Sequence, residues 1–267
     1  FACILSKSAR MRFMLGVCLL LILVSTRWPW INSDGGVPAL NEYGYFVTDE
    51  GYYSGGAKEK LVWGNFVDIV RGETYTFGLT PSLHLMTYCS YRIFGQTTWG
   101  HRLFPFLINL AAWLVMYVFL SRRTPPFVSF VLCAGIVLTP FVTEYERTAC
   151  NDVLMASLLM LGFCLTQRKP IWSAVLGGCV FGLGFFVKKS IFVLFTLGLC
   201  GTLMKRGVQK RWLHALAFCV SFALVGIAMR YALRWSLASD AASQQVSVQT
   251  LIAASSAAYK LPNPFDW

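Results

Sequence analysis

Charged residues are scarce in this sequence. They make up 13% of its 267 residues, against 56% hydrophobic residues, and the mean hydropathy is +0.58. A soluble domain carries about 25% charged residues, and a single core of this size could not absorb so much apolar surface. The deficit argues against a soluble enzyme, a disordered chain and a disulfide-rich scaffold. A lipid bilayer is the solvent that suits most of the chain.

The sequence also lacks the motifs of soluble nucleotide-binding and metallopeptidase folds. It has no glycine-rich fingerprint after a strand, no P-loop and no HExxH pair. Its three histidines, His84, His101 and His214, show no ligand spacing, which argues against a histidine metal site. The nine cysteines form no CxxC pair, and most lie inside apolar runs as small core side chains. A disulfide between Cys89 and Cys150, in loops predicted on one side, stays open.

Seven apolar runs are candidates for membrane-spanning helices. They predict an all-α fold, a polytopic membrane helix bundle of about seven transmembrane helices. Several runs are shorter than the ~20 residues of a perpendicular span, which neighbouring helices and local thinning can accommodate. A signal peptide is the alternative for the first run, but Ser25–Pro29 is a poor cleavage site, so we favour an anchored helix. The runs cover about 12–27, 103–121, 127–143, 152–167, 171–187, 190–204 and 212–235.

Positive charge is distributed unevenly between the two sides of this predicted bundle. Basic residues collect on the cytoplasmic side of membrane proteins. The net charge of +11 is therefore a topology signal and does not indicate nucleic-acid binding. All 12 acidic residues are then outside, where we expect any acid–base chemistry. The predicted inside residues are Lys7, Arg10, Arg12, Arg122, Arg123, Arg168, Lys169, Lys205, Arg206, Lys210 and Arg211.

One long, aromatic-rich loop, residues 28–102, dominates the predicted outer side. Within it, residues 51–63 and 82–94 mix apolar and polar side chains at near-helical spacing, which predicts helices lying in the membrane interface. The resulting division of the chain is an N-terminal extension at 1–10, one transmembrane module at 11–236, and an outer tail at 237–267 that could begin a truncated C-terminal region.

Two acidic clusters are candidates for chemistry on that side. Asp49 and Glu50 are adjacent in the long loop, and their mutual repulsion suits one of them to act as a base; a helix cap at Asp49 is the alternative. The second cluster, residues 144–152, lies between two spans. Capping by Asn151 and a helix-dipole role for Asp152 are the alternatives there. A divalent metal on Asp49 or Asp152 stays open.

Outer-side cations form a third group. Lys188 and Lys189 stand between two apolar runs, where the positive-inside rule does not place them. A phosphate group at the interface would account for them, and lysines that snorkel to lipid headgroups are the alternative. Arg102 opens the second predicted span, and Arg147 lies in the second acidic cluster.

In order and spacing, these stretches resemble a family. They are similar to the GT-C membrane glycosyltransferases that use polyprenyl-phosphate sugars, of the protein O-mannosyltransferase and lipid A aminoarabinose transferase type (glycosyltransferase family 39). The resemblance covers roughly residues 11–204. It departs from the family pattern where one proline of a Pro-Pro-Leu element is replaced and where Lys189 takes the place of a glycine. The matching stretches are Arg27-Trp28-Pro29, Asp49-Glu50-Gly51-Tyr52-Tyr53 with Ala57, Gly78–Leu83, Phe94–Pro105, Ser121-Arg122-Arg123, Arg147 with Asn151-Asp152, and Gly182–Lys189.

The resemblance implies a membrane glycosyltransferase that inverts the sugar centre. Asp49 would be the general base for an acceptor hydroxyl, and Glu50 would orient acceptor or sugar. Arg102, Arg147, Lys188 and Lys189 would stabilise the lipid phosphate as it leaves. Asp152 would hold a sugar hydroxyl, a partner cation or a metal. The implied partners are a polyprenyl-phosphate sugar and a lipid, glycan or protein acceptor. No cofactor is certain, and a divalent metal stays open.

Two other classes stay open at this point. A transporter or flippase of an anionic lipid-linked substrate would also gather ionisable groups at an outer cavity, although transporters more often place them near the midplane and show repeats. A non-catalytic assembly protein could have kept the same module, but the intact Asp49-Glu50 pair argues against decay. We favour a bacterial inner membrane with the site facing the periplasm, with the endoplasmic reticulum lumen as the alternative.

Overall fold

The computed structural model describes residues 7–31, 56–58, 60–61, 81–146, 151–187, 192–203 and 211–231. Within these ranges the chain is helical and contains no strand, which confirms the predicted all-α class. The helices are α1 (Lys7–Arg27), α2 (Pro81–Phe94), α3 (Thr98–Leu120), α4 (Pro126–Val137), α5 (Pro140–Glu146), α6 (Asn151–Thr166), α7 (Ile171–Phe185), α8 (Phe192–Leu203) and α9 (Arg211–Tyr231).

Local sequence signals account for several helix ends. Gly95, at φ 81°, ends α2 in the left-handed region that glycine adopts without a steric penalty. Thr97 then caps α3 by accepting a hydrogen bond from the Gly100 backbone N–H at 3.0 Å. Proline opens both α4 and α5, where its missing N–H costs no intrahelical hydrogen bond.

The predicted single span at 127–143 is two helices in the structure. α4 ends at Val137, and α5 begins at Pro140. A proline disfavours helical geometry in the residue before it, here Thr139, so the break follows from the sequence. It also leaves the Val137 carbonyl available to side chains: Arg27 Nη2 donates to it at 3.1 Å and Thr143 Oγ1 at 3.0 Å.

Three of the helices are long and apolar enough to cross a membrane: Lys7–Arg27, Trp99–Leu120 and Arg211–Tyr231. Three more are apolar but shorter: α4, α6 and α7. Their large outward side chains, such as Phe13, Phe127 and Trp172, are more than half exposed. Exposed apolar surface on many helices suits lipid contact and would be costly in water.

Three apolar clusters hold the described helices together. The first joins α1, α3 and α4 through residues such as Leu23, Trp113 and Val137. The second joins α2, α3, α6 and α7 around Leu83 and Leu154, and the third joins α7 to α9 through the Phe181 and Phe218 rings, 5.6 Å apart. Since lipid is as apolar as these side chains, close packing rather than water exclusion stabilises such contacts.

Glycines set the close approach of α7 to its neighbours. A Cβ at Gly177 would lie 2.6 Å from Thr166 Cγ2 on α6, and a Cβ at Gly178 would clash with the Phe218 carbonyl oxygen on α9. Small residues at helix contacts allow backbones to approach where larger ones would clash. The turn-by-turn spacing of Gly178 and Gly182 puts both against α9.

The bundle has two chemically different ends. At one end, which we call the basic end, Arg12, Arg122, Arg123, Arg168 and Lys169 surround two adjoining cavities. Here the Tyr117 hydroxyl on α3 donates to the Arg12 carbonyl oxygen on α1 at 3.0 Å. His214 at the start of α9 lies 2.9 Å from the Lys169 carbonyl oxygen. The five cations of the basic end were all predicted on the same side of the membrane from their charge, and the fold brings them together.

We expect Gly178→Ala to lower the thermal unfolding midpoint in detergent, because the new methyl group meets backbone atoms that cannot move aside. Overpacking of this kind costs roughly 1–3 kcal/mol. Gly135→Ala in α4 is the matched control, since a Cβ there has no described atom within 4 Å, and helix propensity should leave its midpoint unchanged or raised. Equal midpoints for the two variants would contradict this packing.

Candidate functional site

The end opposite the basic end, which we call the site end, begins where α1 meets α3. α1 finishes at Arg27 and continues as a 3₁₀ turn over Trp28–Trp30, with a proline in its first turn. The Trp28 ring packs edge-on against Trp99, with centroids 5.9 Å apart, and lies 6.0 Å from the Phe106 ring. These aromatic contacts fix the end of α1 against the first turns of α3.

Arg102 is buried at this junction. Its side chain is 2% exposed, and Nη1 donates to the Ile31 carbonyl oxygen at 2.8 Å. A guanidinium group has five N–H donors in a planar fork. Arg102 lies in a helix long and apolar enough to cross a membrane, and a buried charge within such a helix is a candidate for a functional position. The sequence prediction of Arg102 as an anion-binding residue is thus compatible with its place.

α2 covers the site end with a polar face. Ser82, His84, Thr87 and Ser90 are buried, while Ile93 and Phe94 at its end are exposed. Thr87 Oγ1 lies 3.2 Å from His101 Nδ1, and the Ser90 hydroxyl donates to the Gly100 carbonyl oxygen. The predicted helix at 82–94 is therefore present, and it directs hydroxyl and imidazole groups toward α3.

A short part of the long loop also reaches α2. Residues 56–58 and 60–61 are helical, within the helix predicted at 51–63. Ala57 is fully buried, and a Cβ at Gly56 would lie 3.0 Å from His84 Nδ1. The chain that follows the acidic pair in sequence thus packs directly against the polar face of α2.

The start of α6 and the end of α7 complete the site end. Leu154 and Val187 pack in one cluster with Leu83 of α2. The Ser82 hydroxyl donates to the Leu183 carbonyl oxygen at 3.2 Å, and the Ser82 N–H donates to the Phe186 carbonyl oxygen at 3.4 Å. The start of α2, the first turn of α6 and the end of α7 are distant in sequence but meet at the site end.

Asp152 lies in the first turn of α6 and is exposed. A carboxylate in this position complements the helix dipole, as one of the two sequence interpretations expected. Asn151 beside it is 3% exposed, and its Oδ1 has no hydrogen-bond partner in the described part of the chain. An unsatisfied buried amide oxygen is uncommon and suits contact with a bound polar group.

The other predicted site residues, Asp49, Glu50, Arg147, Lys188 and Lys189, lie outside the described residues. Cys150, of the open disulfide, also lies outside them, whereas Cys89 is an exposed free thiol. Among the described ranges no three His, Cys, Asp or Glu side chains come together as a metal site. Arg102 and Asp152 are thus the predicted site residues whose surroundings the structure gives.

Below this surface lies a buried ion pair that the sequence did not single out. Arg27 is fully buried and donates to Glu146 Oε2 through Nε at 3.0 Å and through Nη2. Glu146 Oε1 accepts from Trp113 Nε1 at 2.6 Å and from Asn109 Nδ2 at 3.0 Å. Four N–H donors from α1 and α3 therefore bind the Glu146 carboxylate. Hydrogen bonds of this kind offset the desolvation penalty of a buried charge.

The same network extends to α6. Asn109 Nδ2 also donates to Ser157 Oγ at 3.0 Å, and Ser157 in turn donates to the Val153 carbonyl oxygen at 2.8 Å. Asn109 is two helical turns from Arg102, or about 10 Å along α3. The ion-pair network therefore ties α1, α3, α5 and α6 together just beneath Arg102.

One sequence signal could have found this network. Arg102, Phe106, Asn109, Trp113 and Tyr117 recur every three or four residues and are all buried. That spacing places them on one face of α3, and polar residues within a span face the bundle interior. The pairing with Glu146 could not be found this way, because Arg27 and Glu146 are 119 residues apart.

Residues 80–230 match the family model of dolichyl-phosphate-mannose-protein mannosyltransferases. The chain belongs to this family. No curated protein and no solved structure matches it. As a member of the mannosyltransferase family, the chain is a membrane glycosyltransferase of the GT-C type, and its apolar helices make it an integral membrane protein.

The mannosyltransferase match confirms the family suspected from sequence. It covers residues 80–230, whereas the resemblance covered roughly residues 11–204. The match begins just before α2 and includes Arg102, Glu146, Asp152 and Lys188. The description of the family names a dolichyl-phosphate mannose donor and a protein acceptor. Arg27, like the Asp49-Glu50 pair, lies before the matched region.

Replacing Glu146 by Gln should destabilise the protein strongly, because Arg27 would keep its buried charge without a counterion. Removal of one partner from such a pair costs about 3–5 kcal/mol. The double variant R27Q/E146Q retains polar groups at both positions without charge, and we expect it to recover part of the loss. Thermal unfolding midpoints of the parent, both single variants and the double variant measure the coupling.

Additive effects in that cycle would show that the two side chains do not interact. A midpoint for E146Q equal to that of the parent would contradict the buried ion pair itself.

Proposed function

We propose that this chain transfers a sugar from a polyprenyl-phosphate donor to an acceptor hydroxyl on the outer side of the membrane, with inversion at the sugar carbon. The family description, which names a dolichyl-phosphate sugar and a protein acceptor, supports this class of donor. The observation that carries the proposal is the buried guanidinium of Arg102 at the site end, away from the cations of the basic end. The outer side would be periplasmic in a bacterium or lumenal in the endoplasmic reticulum.

The proposed reaction is one displacement. The acceptor oxygen bonds to the anomeric carbon as the bond from that carbon to the lipid-phosphate oxygen breaks, and the acceptor proton passes to Asp49. The phosphate gains negative charge as it leaves, so fixed cations that face it lower the barrier. We assign this role to Arg102, Arg147 and Lys188, with Lys189 second to them.

Asp49 is the proposed base because of its position in the family pattern and its carboxylate partner Glu50, which would orient acceptor or sugar. The packing of Gly56 and Ala57 against α2 supports a role for this loop at the site end. The polar face of α2 and the aromatic loop would then line the acceptor cleft.

Asp152 is proposed to hold a sugar hydroxyl or a partner cation. Its side chain is exposed in the first turn of α6, and the amide oxygen of Asn151, which has no partner among the described residues, offers a second acceptor beside it. Sugars present many hydroxyl donors, for which carboxylate and amide oxygens are suitable partners. A divalent metal on Asp152 would be the alternative use of the same oxygens.

The buried ion pair supports the site indirectly. Glu146 is anchored by four donors and immediately precedes Arg147 in sequence, and Arg27 anchors the turn whose Ile31 carbonyl oxygen accepts from Arg102. We assign Arg27 and Glu146 as positioning residues, since the family reaction requires fixed cations around the leaving phosphate.

Asp49→Asn should abolish sugar transfer from a radiolabelled polyprenyl-phosphate donor in membranes, because an amide cannot accept the acceptor proton. General-base removal typically costs 10²–10⁴-fold in rate, so a loss of at least about 100-fold is expected. Asp68→Asn, in the same loop but outside the acidic pair, is the matched control. Parent-level transfer by Asp49→Asn would overturn the base assignment while keeping the enzyme.

Arg102→Gln should lower kcat for transfer by about 10²-fold, the typical loss for one donor that stabilises a developing anion. Arg92→Gln on exposed α2 surface at the same end is the control and should change kcat less than about twofold. Melting midpoints of both variants separate chemistry from stability. A change confined to the melting midpoint would assign Arg102 a purely structural role.

A further inference from the structure

The basic end contains a groove that the proposed reaction does not use. It measures about 530 Å³ and lies between the end of α3 and the turn that joins α6 to α7. A smaller cavity of about 200 Å³ adjoins it, and the two share Val118 and Arg122. Both lie at the opposite end of α3 from Arg102.

Among the residues that the structure describes, four cations and no carboxylate line the groove. They are Arg122, Arg123, Arg168 and Lys169. The sequence holds no acidic residue between Glu73 and Glu144 or between Asp152 and Asp240. The carboxylates of Glu146 and Asp152 belong to the site end. The chain therefore supplies no counterion to this groove from the helices that form it.

Backbone and side-chain geometry also suit an anion here. Arg123 is held at the rim, with its Cζ 3.6 Å from the Phe119 ring centroid. α7 begins at Ile171 without a side-chain cap, between Pro170 and Trp172 of the groove lining, so the positive end of its helix dipole lies at the groove. In the adjoining cavity, Arg12 Nε is buried and has no hydrogen-bond partner among the described residues.

The walls below the cations are apolar. Val115, Val118, Phe119 and Trp172 line the groove, and the Trp172 side chain is 51% exposed. Free phosphate would gain nothing from contact with apolar walls. A lipid, in contrast, places its phosphate beside the cations and its acyl chains against the apolar residues. Basic pockets between transmembrane helices on the cytoplasmic side are known to bind anionic headgroups.

We propose that this groove binds an anionic phospholipid from the leaflet at the basic end. Its phosphate lies among Arg122, Arg123, Arg168 and Lys169, and an acyl chain follows Val115, Val118 and Trp172. By the positive-inside rule this is the cytoplasmic leaflet, so the site is separate from the one proposed for the sugar donor. The lipid supplies the counterion that the groove-forming helices lack, and it fills the space between α3 and α7.

The test is lipid titration of the purified full chain in neutral detergent, read by native mass spectrometry. Phosphatidylglycerol and phosphatidylcholine with identical acyl chains are compared, and inorganic phosphate is added as a competitor. We expect at least about tenfold tighter binding of phosphatidylglycerol, and no displacement by millimolar phosphate. Equal affinity for the two lipids, or full displacement by phosphate, would overturn the proposal.

Two variants of equal charge locate the site. R122Q/R123Q/R168Q should remove the preference for phosphatidylglycerol, whereas K7Q/R10Q/R211Q, at the same end but outside the groove, should keep it. Equal loss in both would mean a diffuse surface effect and would contradict a groove site. V118W fills the apolar wall without changing charge. It should weaken phosphatidylglycerol binding several-fold, and it decides the question if the triple variant fails to fold.

Discussion

The rest of this structure depends on one buried ion pair, between Arg27 at the end of α1 and Glu146 at the end of α5. A charge within a membrane bundle is tolerated only when it is fully paired and hydrogen-bonded. Glu146 meets that condition with donors from Arg27, Asn109 and Trp113. Because each donor lies on a different turn or helix, the requirement fixes α1, α3 and α5 relative to one another.

The helix break between α4 and α5 belongs to the same constraint. A continuous helix through 127–143 would have used the Val137 carbonyl in its own backbone ladder. The proline at position 140 ends that ladder, and the freed carbonyl oxygen accepts from Arg27. The helix break thus follows from the proline and supplies a hydrogen-bond acceptor to the buried Arg27.

The two ends of the bundle divide its chemistry. At the site end, Arg102, the polar face of α2 and Asp152 bring cationic, hydroxyl and carboxylate groups to one end of the bundle. At the basic end, cations stand without carboxylates around a groove. This separation keeps the site that we propose for sugar transfer away from the groove that we propose for an anionic lipid.

The sequence by itself determined the membrane setting and the segregation of charge, because hydropathy and charge patterns are local properties. It also gave most helix positions to within about five residues, although the span predicted at 127–143 is two helices. It also singled out Arg102 and Asp152, together with the family whose model the chain matches. Only the tertiary structure decided which residues neutralise Glu146, how α2 turns its polar face inward and where the basic groove lies. These depend on contacts such as Arg27 with Glu146, 119 residues apart, which no local pattern encodes.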